Sequence, residues 1–297
     1  MTAAAPTPQS WTVRALLVWA RDWLAKKGSG SPRLDAELLL ARALGCERIR
    51  LYVDHDKPLA APELARFKAL LQRRAAHEPV AYILGVKEFY GRPFRVELDG
   101  RRAFIPRPET ELLVQAVLQA LDARAADGAG LKALDLCCGT GAVGLTLAAE
   151  RKGLEVDLVE LSPEALEVAR TNAAALAPRA RVLAGDLFAP LLPGTRYHAI
   201  AANPPYIPET ERGTLPPDVV DHEPHLALFG GADGLAVVRR LVAEAPRWLS
   251  PGGLLAFELD PVEAAEAAGL CEAAGLTGAA VQRDLAGLER LVTARAP

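Results

Sequence analysis

Apolar residues follow two different patterns along the chain. Over residues 11–80 they recur about every 3.6 positions, with glycine or proline between the runs. This spacing predicts three amphipathic helices at Val13–Lys26, Leu34–Leu44 and Pro62–Ala76. From residue 131 onward, short apolar runs alternate with helix-like segments. The change of pattern predicts a helical first region and an α/β second region.

Two shorter apolar runs lie between these regions. Val86–Tyr90 and Pro93–Leu98 are separated by Gly-Arg, a pattern that predicts a β-hairpin. The hairpin is expected to bridge the two regions. We therefore divide the chain into a helical domain at residues 1–85, a β-hairpin linker at 86–105 and a larger domain at 106–297.

The larger domain is predicted to be α/β, with a seven-stranded, mostly parallel, Rossmann-like sheet that ends in an antiparallel pair. The predicted strands are Leu131–Leu136, Val156–Glu160, Arg181–Ala184, His198–Ala202, Leu254–Glu258, Ala279–Gln282 and Glu289–Thr293. The predicted helices are Ala142–Glu150, Pro163–Ala175 and Gly234–Leu249. Helices placed between parallel strands cover both faces of such a sheet, which accounts for the near-continuous apolar character of the strands.

The composition is that of a globular protein in water. Of the 297 residues, 51% are apolar and 24% are charged, and no segment approaches the ~20 apolar residues that span a bilayer. The four cysteines show no CxxC spacing, which argues against a structural zinc site and for a reduced, cytoplasmic protein. They are Cys46, Cys137, Cys138 and Cys271.

Charge is distributed unevenly along the chain. Residues 1–85 hold 13 lysines and arginines against 8 acidic residues, whereas the remainder holds 21 against 29, within a net charge of −3. A basic first domain fits an acidic partner, either protein or nucleic acid. An ordinary solvated helical surface accounts for the same counts, and the sequence leaves both interpretations open.

The segment Asn203-Pro204-Pro205-Tyr206 follows the apolar run at residues 199–202 and so lies at the carboxyl end of a strand, where open α/β sheets bind ligands. The prolines stiffen the turn and remove N–H donors. The Asn203 side-chain oxygen and the Pro204 carbonyl can accept the two hydrogens of a planar –NH2 group, and Tyr206 offers a face for stacking. The segment therefore predicts presentation of an amide or exocyclic amine to an electrophile.

A glycine loop supplies a second candidate site. Residues 135–144 contain Gly139-Thr140-Gly141 between a predicted strand and helix, and Glu160 ends the next strand. Such a loop lets a ligand approach the backbone, while the carboxylate accepts hydrogen bonds from ribose hydroxyls. This description fits enzymes of NAD and of S-adenosyl-L-methionine (AdoMet) alike. Asp135 suits the cationic tail of AdoMet, and Asn-Pro-Pro-Tyr favours methyl transfer.

Together these residues resemble a class I AdoMet-dependent methyltransferase. Further segments are similar to the protein-(glutamine-N5) methyltransferases of peptide chain release factors, and the similarity runs from about Ser31 to Arg295. These segments are Glu78 to Gly85, Glu88 to Gly91, Ile105 to Glu111, Glu223 to Gly231 and Arg283 to Gly287. The resemblance implies transfer of a methyl group from AdoMet to the glutamine of the release factor's Gly-Gly-Gln loop.

The resemblance also implies roles for individual residues. The catalytic residues would be Asn203, Pro204 and Tyr206, and the substrate would be bound by Asn203, Pro204, Pro205 and Tyr206. The cofactor would be held by Asp135, Cys137, Cys138, Gly139, Thr140, Gly141, Glu160, Asp186, Leu187, Asn203, Arg107 and Thr110. Within that set, Glu160 would hold the ribose, Asp186 and Leu187 would flank the adenine, and Arg107 to Thr110 would cover the methionine tail. The helical domain would recognise the substrate.

The expected partner is a release factor, with no metal, no membrane and no direct nucleic-acid binding, and the protein is expected to be a monomer. Two alternatives remain open. A nucleic-acid adenine-N6 methyltransferase shares the Asn-Pro-Pro-Tyr chemistry, and a non-catalytic AdoMet-binding module shares the loop. The chain departs from the family pattern at Cys137-Cys138, where glycine and a small residue are usual, and at Glu258 to Glu263, which replaces Glu-x-Gly-x-x-Gln.

Overall fold

The computed structural model describes residues 11–124 and 130–297, which form two compact units divided between Leu84 and Gly85. In the first unit, leucines and one phenylalanine from successive helices fill a common core that includes Leu24, Leu39, Leu40 and Phe67. Its helices are α1 (Val13–Lys26), α2 (Pro32–Leu44), α3 (Arg50–Val53), α4 (Ala61–Ala75) and α5 (Val80–Leu84). The three predicted helices are confirmed within two residues at each end.

The second unit begins with two short antiparallel hairpins. They are formed by β1 (Val86–Phe89) with β2 (Arg92–Arg95) and by β3 (Glu97–Leu98) with β4 (Arg101–Arg102). The buried Asn172 side chain accepts a hydrogen bond from the Arg95 N–H at 2.9 Å and donates one to the Arg95 carbonyl. These bonds attach the first hairpin to the rest of the second unit. That residues 86–105 link two domains stays a prediction.

A seven-stranded sheet forms the centre of the second unit, in the order β10-β11-β9-β8-β5-β6-β7. Its strands are β5 (Lys132–Leu136), β6 (Glu155–Glu160), β7 (Arg181–Ala184), β8 (Tyr197–Ala202), β9 (Leu249–Glu258), β10 (Thr277–Arg283) and β11 (Glu289–Arg295). The pairs among β5 to β9 are parallel, and β11 runs antiparallel to both β9 and β10. The predicted fold is confirmed.

Helices cover both faces of this sheet. The longer ones are α6 (Glu111–Asp122), α7 (Ala142–Glu150), α8 (Pro163–Leu176), α10 (Ala236–Trp248) and α11 (Ala264–Ala273), and α9 (Pro217–Val220) is a single turn. Alternate residues of β8 point to opposite faces of the sheet. Ala199 and Ala201 pack with α6, α7 and α8, whereas Ile200 and Ala202 pack with α10 and α11. Strand order reverses between β5 and β8, which places a crevice at their carboxyl ends.

The prediction missed α11 and began β9 five residues late. In α11 the alanine-rich sequence has no distinct apolar stripe, so its periodicity is weak. In β9 the Pro-Gly-Gly segment at 251–253 reads as a loop, yet Leu249 pairs with Tyr197 before a register shift. Among the described residues, no helix has the length and apolar character needed to cross a membrane.

Candidate active site

A cavity of about 340 Å³ opens at the carboxyl ends of the central strands, within the second unit. It brings together nearly all the site residues predicted from sequence. The predicted residues that line it are Arg107, Thr110, Asp135, Cys137, Cys138, Gly139, Thr140, Glu160, Asp186, Leu187, Asn203, Pro205 and Tyr206. Gly141 and Pro204 are absent from this lining. The ligand contacts assigned to these residues stay predictions.

The glycine loop between β5 and α7 is held in left-handed backbone conformations. Gly139 and Gly141 have φ of 56° and 79°, and Cys137 adopts φ of 55° despite its side chain. A Cβ atom on Gly141 would lie 2.8 Å from a Leu145 methyl carbon. Gly141 therefore shapes the turn without lining the cavity, and the left-handed backbone of Cys137 is strained.

Two carboxyl groups hold this loop in place by accepting hydrogen bonds from its backbone N–H groups. Asp135 is almost fully buried and accepts the Gly144 N–H at 2.8 Å, and burial raises its pKa to about 7. Glu160 accepts the Gly139 N–H at 2.7 Å and the Ser162 N–H at 2.8 Å, and burial also raises its pKa. Both line the cavity, so each combines a structural contact with a surface available to a ligand.

The turn after β7 forms the next wall of the cavity. Leu187 has φ of 47°, a second strained position beside the site. Asp186 forms an ion pair with Arg240 of α10 at 2.7 Å, and Arg240 itself lines the cavity. The sequence analysis did not single out Arg240, because a lone arginine on a helix carries no local signal of a site.

A clamp of three side chains joins the segment before α6 to the segment after Asn-Pro-Pro-Tyr. The Arg107 guanidinium forms an ion pair with the buried Glu223 carboxylate and lies over the Phe104 ring, 4.7 Å from its centre. Burial raises the pKa of Glu223, and the nearby Arg107 opposes that shift. Phe104 and Arg107 line the cavity, so the clamp shapes one of its sides.

Asn203 projects from the tip of β8 and is only partly buried. Its Nδ2 donates a hydrogen bond to Thr110 Oγ1 at 3.3 Å. This bond leaves Oδ1 as the acceptor that the side chain can offer to a ligand. Burial, followed by the nearby Glu258, raises the pKa of Tyr206, which keeps its hydroxyl protonated. Pro204 is buried beside them.

The Asn-Pro-Pro-Tyr turn is held by a distant segment. Ile207 N–H donates to the Leu228 carbonyl, and Gly230 N–H donates to the Ile207 carbonyl, both at 2.9 Å. A Cβ atom on Gly230 would lie 2.5 Å from the Pro205 carbonyl oxygen, and one on Gly234 would lie 2.2 Å from that of Tyr206. Glycine is therefore required at both positions. Gly230 belongs to the segment from Glu223 to Gly231 noted in the sequence, whereas Gly234 was predicted only as the first residue of a helix, which in fact begins at Ala236.

An apolar wall completes the cavity. It consists of Leu215, Val219, Leu226, Leu228 and Phe229, all from the segment after Asn-Pro-Pro-Tyr. The sequence analysis missed Leu215 and Val219 because their irregular spacing among prolines shows no helical or strand period. Leu226, Leu228 and Phe229 lie in the segment from Glu223 to Gly231 that the sequence analysis noted, but it assigned them no place in the site. Across the part of the chain that the structure describes, no group of three or more histidine, cysteine, aspartate or glutamate residues could hold a metal ion.

Comparison with known proteins identifies the family. A release factor glutamine methyltransferase from Geobacter sulfurreducens is 40% identical over 288 residues, which cover 97% of this chain and 98% of the relative. One from Mycolicibacterium smegmatis is 43% identical, covering 95% of this chain and 97% of the relative. The chain belongs to the release factor glutamine methyltransferase family. It is therefore a member of an enzyme family that transfers methyl groups.

Family descriptions and solved structures agree with this membership. Residues 15–85 match the PrmC N-terminal domain, and residues 109–215 match the methyltransferase small domain. The 16S rRNA N2 G1207 methyltransferase of T. thermophilus, solved with AdoMet and guanosine, has a TM-score of 0.52 at 24% identity over 71% of this chain and 50% of its own. A methyltransferase from Pyrococcus furiosus has a TM-score of 0.50 at 17% identity, covering 70% and 91%. At these identities the two structures establish the fold that the family shares.

Proposed function

We propose that this protein transfers a methyl group from AdoMet to the side-chain amide nitrogen of the glutamine in the Gly-Gly-Gln loop of a peptide chain release factor. The observation that carries the proposal is the anchored Asn203 side chain, whose Nδ2 is bound to Thr110 at the edge of the cavity. Family membership supports the same substrate, because the relatives are release factor glutamine methyltransferases.

The residues of the glycine-loop end of the cavity fit AdoMet. Glu160 offers a carboxylate to ribose hydroxyls, and the apolar Leu187 beside it suits an adenine ring. The strained backbone at Cys137 lets the loop pass close to a ligand. When bound, AdoMet supplies an electrophilic methyl group on a sulfonium. No phosphate-binding cation is needed at this end of the cavity, where Asp135 and Glu160 both lie.

The Asn-Pro-Pro-Tyr turn would hold the substrate amide. Asn203 Oδ1 would accept one amide N–H and the Pro204 carbonyl the other, which fixes the nitrogen in one orientation. An amide nitrogen is a weak nucleophile because its lone pair is delocalised into the carbonyl. Fixed acceptors therefore accelerate the reaction mainly by orienting the nitrogen. In favourable cases orientation lowers an activation barrier by ~7–11 kcal/mol. Tyr206 would stack on the planar amide, and the proton would leave to water.

The apolar wall would hold the aliphatic part of the glutamine side chain. Leu215, Val219 and Leu226 come from the segment that follows the Asn-Pro-Pro-Tyr turn and face the same cavity. Burial of two methylene groups there would contribute about 1.6 kcal/mol at ~0.8 kcal/mol per group. Such a wall suits a glutamine entering side chain first.

We propose that the helical unit recognises the release factor. It carries the excess of basic residues, and Trp11, Val18 and Trp19 are exposed on α1 or just before it. Reversal of two exposed charges, Arg42→Glu with Lys68→Glu, should raise the KM for the release factor severalfold and leave the AdoMet Kd unchanged. An equal loss of both affinities would contradict this assignment.

The direct test is transfer of radiolabelled methyl from AdoMet to a purified release factor. The matched control is the same factor with its Gly-Gly-Gln glutamine changed to alanine. The proposal expects label on the first and none on the second. Label on duplex DNA or on RNA, with none on the release factor, would overturn it in favour of an adenine methyltransferase. Equal label on both release factors would place the reaction at another residue.

A further inference from the structure

Glu258 lies beside Asn203 in the sheet although it is 55 positions away in sequence. The parallel strands β8 and β9 place Ala202 opposite Phe257, so the next residues, Asn203 and Glu258, are neighbours. Ala202 and Phe257 point into the core beneath α10 and α11. Because side chains alternate along a strand, Glu258 faces the opposite side, where Thr110 precedes α6.

The Glu258 carboxyl group is buried without hydrogen-bonding partners. Only 2% of the residue is exposed, and across residues 11–124 and 130–297 neither carboxyl oxygen makes a hydrogen bond of normal geometry. Leaving a buried polar group unsatisfied costs about 1–3 kcal/mol of stability, and more for a charged group. A carboxyl kept here at that cost is a candidate for a role in the site.

The electrostatic surroundings place Glu258 against the Asn203–Thr110 pair. Burial raises its pKa to about 7, and the polar groups of Thr110 and Asn203 act in the opposite direction. The charged groups that face it are Glu109, which raises the pKa further, and Arg290, which lowers it. Thr110 and Asn203 are therefore its immediate polar neighbours, although their geometry falls short of full hydrogen bonds.

Thr110 stands between the two side chains. Its Oγ1 accepts a hydrogen bond from Asn203 Nδ2, so the hydroxyl hydrogen is free to point at another acceptor. The Glu258 carboxyl is the acceptor beside it. Thr110 and Asn203 line the cavity, whereas Glu258 is absent from the lining. Glu258 can thus act on a substrate only through its neighbours.

We infer that Glu258 is a positioning residue: with Thr110, it orients the Asn203 carboxamide so that Oδ1 faces the cavity. Above about pH 7 the carboxyl is ionised, so it accepts hydrogen bonds and donates none, which attracts Nδ2 and repels Oδ1. Without it, the Thr110 hydroxyl is free to donate to Oδ1, and the carboxamide can turn by half a rotation. The turned group would present donors to the substrate amide, which itself offers two N–H groups. This inference rests on the proposed glutamine methylation.

The test compares Glu258→Leu with Glu258→Gln. Leucine removes the acceptor, so kcat for release-factor methylation should fall 10- to 100-fold, while the AdoMet Kd stays within twofold and the melting temperature is equal or higher. Glutamine retains an acceptor oxygen and should keep kcat within about fivefold of the unmodified protein. A purely structural role would instead lower the melting temperature without changing kcat per folded molecule. A Glu258→Leu variant with unmodified kcat would overturn the inference.

A double-mutant cycle with Thr110→Val tests the connection between the two residues. If both act through Asn203, the double variant should be no slower than the slower single variant. A double variant whose fold-loss in kcat equals the product of the two single losses would overturn the proposed connection. Thr146→Val is the matched control, because Thr146 is a buried threonine of α7 whose hydroxyl has no partner among the described residues. Its kcat should be unchanged.

Failure of the proposed function would look different from failure of this inference. If the unmodified protein binds AdoMet but does not methylate a release factor, the proposed function fails. If the unmodified protein methylates it and Glu258→Leu does so equally well, only the role of Glu258 fails.

Discussion

The two ends of the cavity are built in different ways. The glycine-loop end, residues 135–144 with Glu160, takes its shape from backbone conformation: left-handed residues and N–H groups that donate to buried carboxylates. The Asn-Pro-Pro-Tyr end, residues 203–206 with their supports, depends on side chains from distant segments. Thr110 holds Asn203, and the 228–231 segment pairs with the chain just after the turn.

This difference has a consequence for substitutions. At the glycine-loop end, a changed side chain should alter how tightly the ligand is held. At the Asn-Pro-Pro-Tyr end, a small displacement should alter the rate, because the proposed chemistry depends on the orientation of one carboxamide. We therefore expect Kd effects at the first end and kcat effects at the second.

Among substitutions outside residues 203–206, the largest effect is expected for Gly230→Ala. The added Cβ would lie 2.2 Å from the Gly234 carbonyl oxygen and 2.5 Å from that of Pro205, so the turn must move. Since displacement of a reacting group by about 1 Å can cost 10²-fold, we expect kcat to fall about 100-fold with little change in AdoMet Kd. Steady-state kinetics and calorimetric titration measure the two quantities.

Gly213→Ala is the control for that variant. Gly213 lies in the same stretch of chain, and an added Cβ there would meet nothing within 4 Å. Its kcat should match that of the unmodified protein. A Gly230→Ala variant with normal kcat would show that the turn tolerates displacement, which would break the contrast between the two ends.

The second effect concerns the pH dependence of stability at the Asn-Pro-Pro-Tyr end. Burial raises the pKa of Glu258 from 4.5 to about 7, so the folded protein holds this proton more tightly than the unfolded chain. The resulting stabilisation is complete below pH 4.5 and is lost as pH rises through about 7. From a shift of this size we expect a loss of about 3 kcal/mol in unfolding free energy between pH 4.5 and 8.

Glu258→Gln cannot titrate, so its stability should lack this component. Asp135, whose pKa is also raised to about 7, titrates in both proteins and cancels in the difference between them. Urea denaturation at several pH values between 4.5 and 8 gives the two curves. If the unfolding free energies of the two proteins change with pH in the same way, Glu258 has the same pKa in the folded protein as in the unfolded chain.

The third effect is expected at the glycine-loop end. In Glu160→Gln, one of the two backbone N–H groups that donate to the carboxylate, those of Gly139 and Ser162, would face an amide NH2 instead. Since a hydrogen bond to a charged group contributes about 1.5–3 kcal/mol, we expect AdoMet Kd to rise at least ~10-fold. The rate at saturating AdoMet should change less. Glu155→Gln, at the exposed start of the same strand, should leave both quantities unchanged.

The smallest effect is expected for Cys137→Gly. Glycine removes the strain of φ 55°, which costs an L-residue roughly 1–2 kcal/mol, but it loses roughly 0.5–1 kcal/mol through greater freedom in the unfolded chain. The net change in unfolding free energy should be a stabilisation below about 1 kcal/mol. Denaturant titration measures it. Marked destabilisation would show that the thiol packs in the loop in a way that offsets its strain.

The same contrast explains what the sequence could reveal. The glycine loop is local: strand, turn, helix and the acid at the end of the next strand follow one another, so residues 135–160 predict both its fold and its place in the cavity. The Asn203 turn was also visible, because two adjacent prolines after an apolar run mark a rigid strand end. Alternating apolar runs were sufficient for the seven strands.

The supports of Asn203 could not be read in this way. Thr110 and Glu258 approach Asn203 only in the folded protein, and no spacing in the sequence connects them. Thr110 was predicted as a cofactor contact, which stays a prediction, and the structure shows in addition that it is bound to Asn203. Glu258 drew attention only as the start of an unusual segment. Its relation to Asn203 follows from the pairing of β8 with β9.

The central claim is that the Asn203 carboxamide presents the substrate amide for methylation. The most direct measurement is a single-turnover assay of Asn203→Ala, with AdoMet and release factor both saturating, beside a calorimetric AdoMet titration of the same variant. Loss of a positioned polar group of this kind costs about 10²–10³ in rate, so we predict that fall in the methyl-transfer rate with AdoMet Kd within a few fold. A near-normal rate, or a rate that recovers fully at higher AdoMet, would contradict the account.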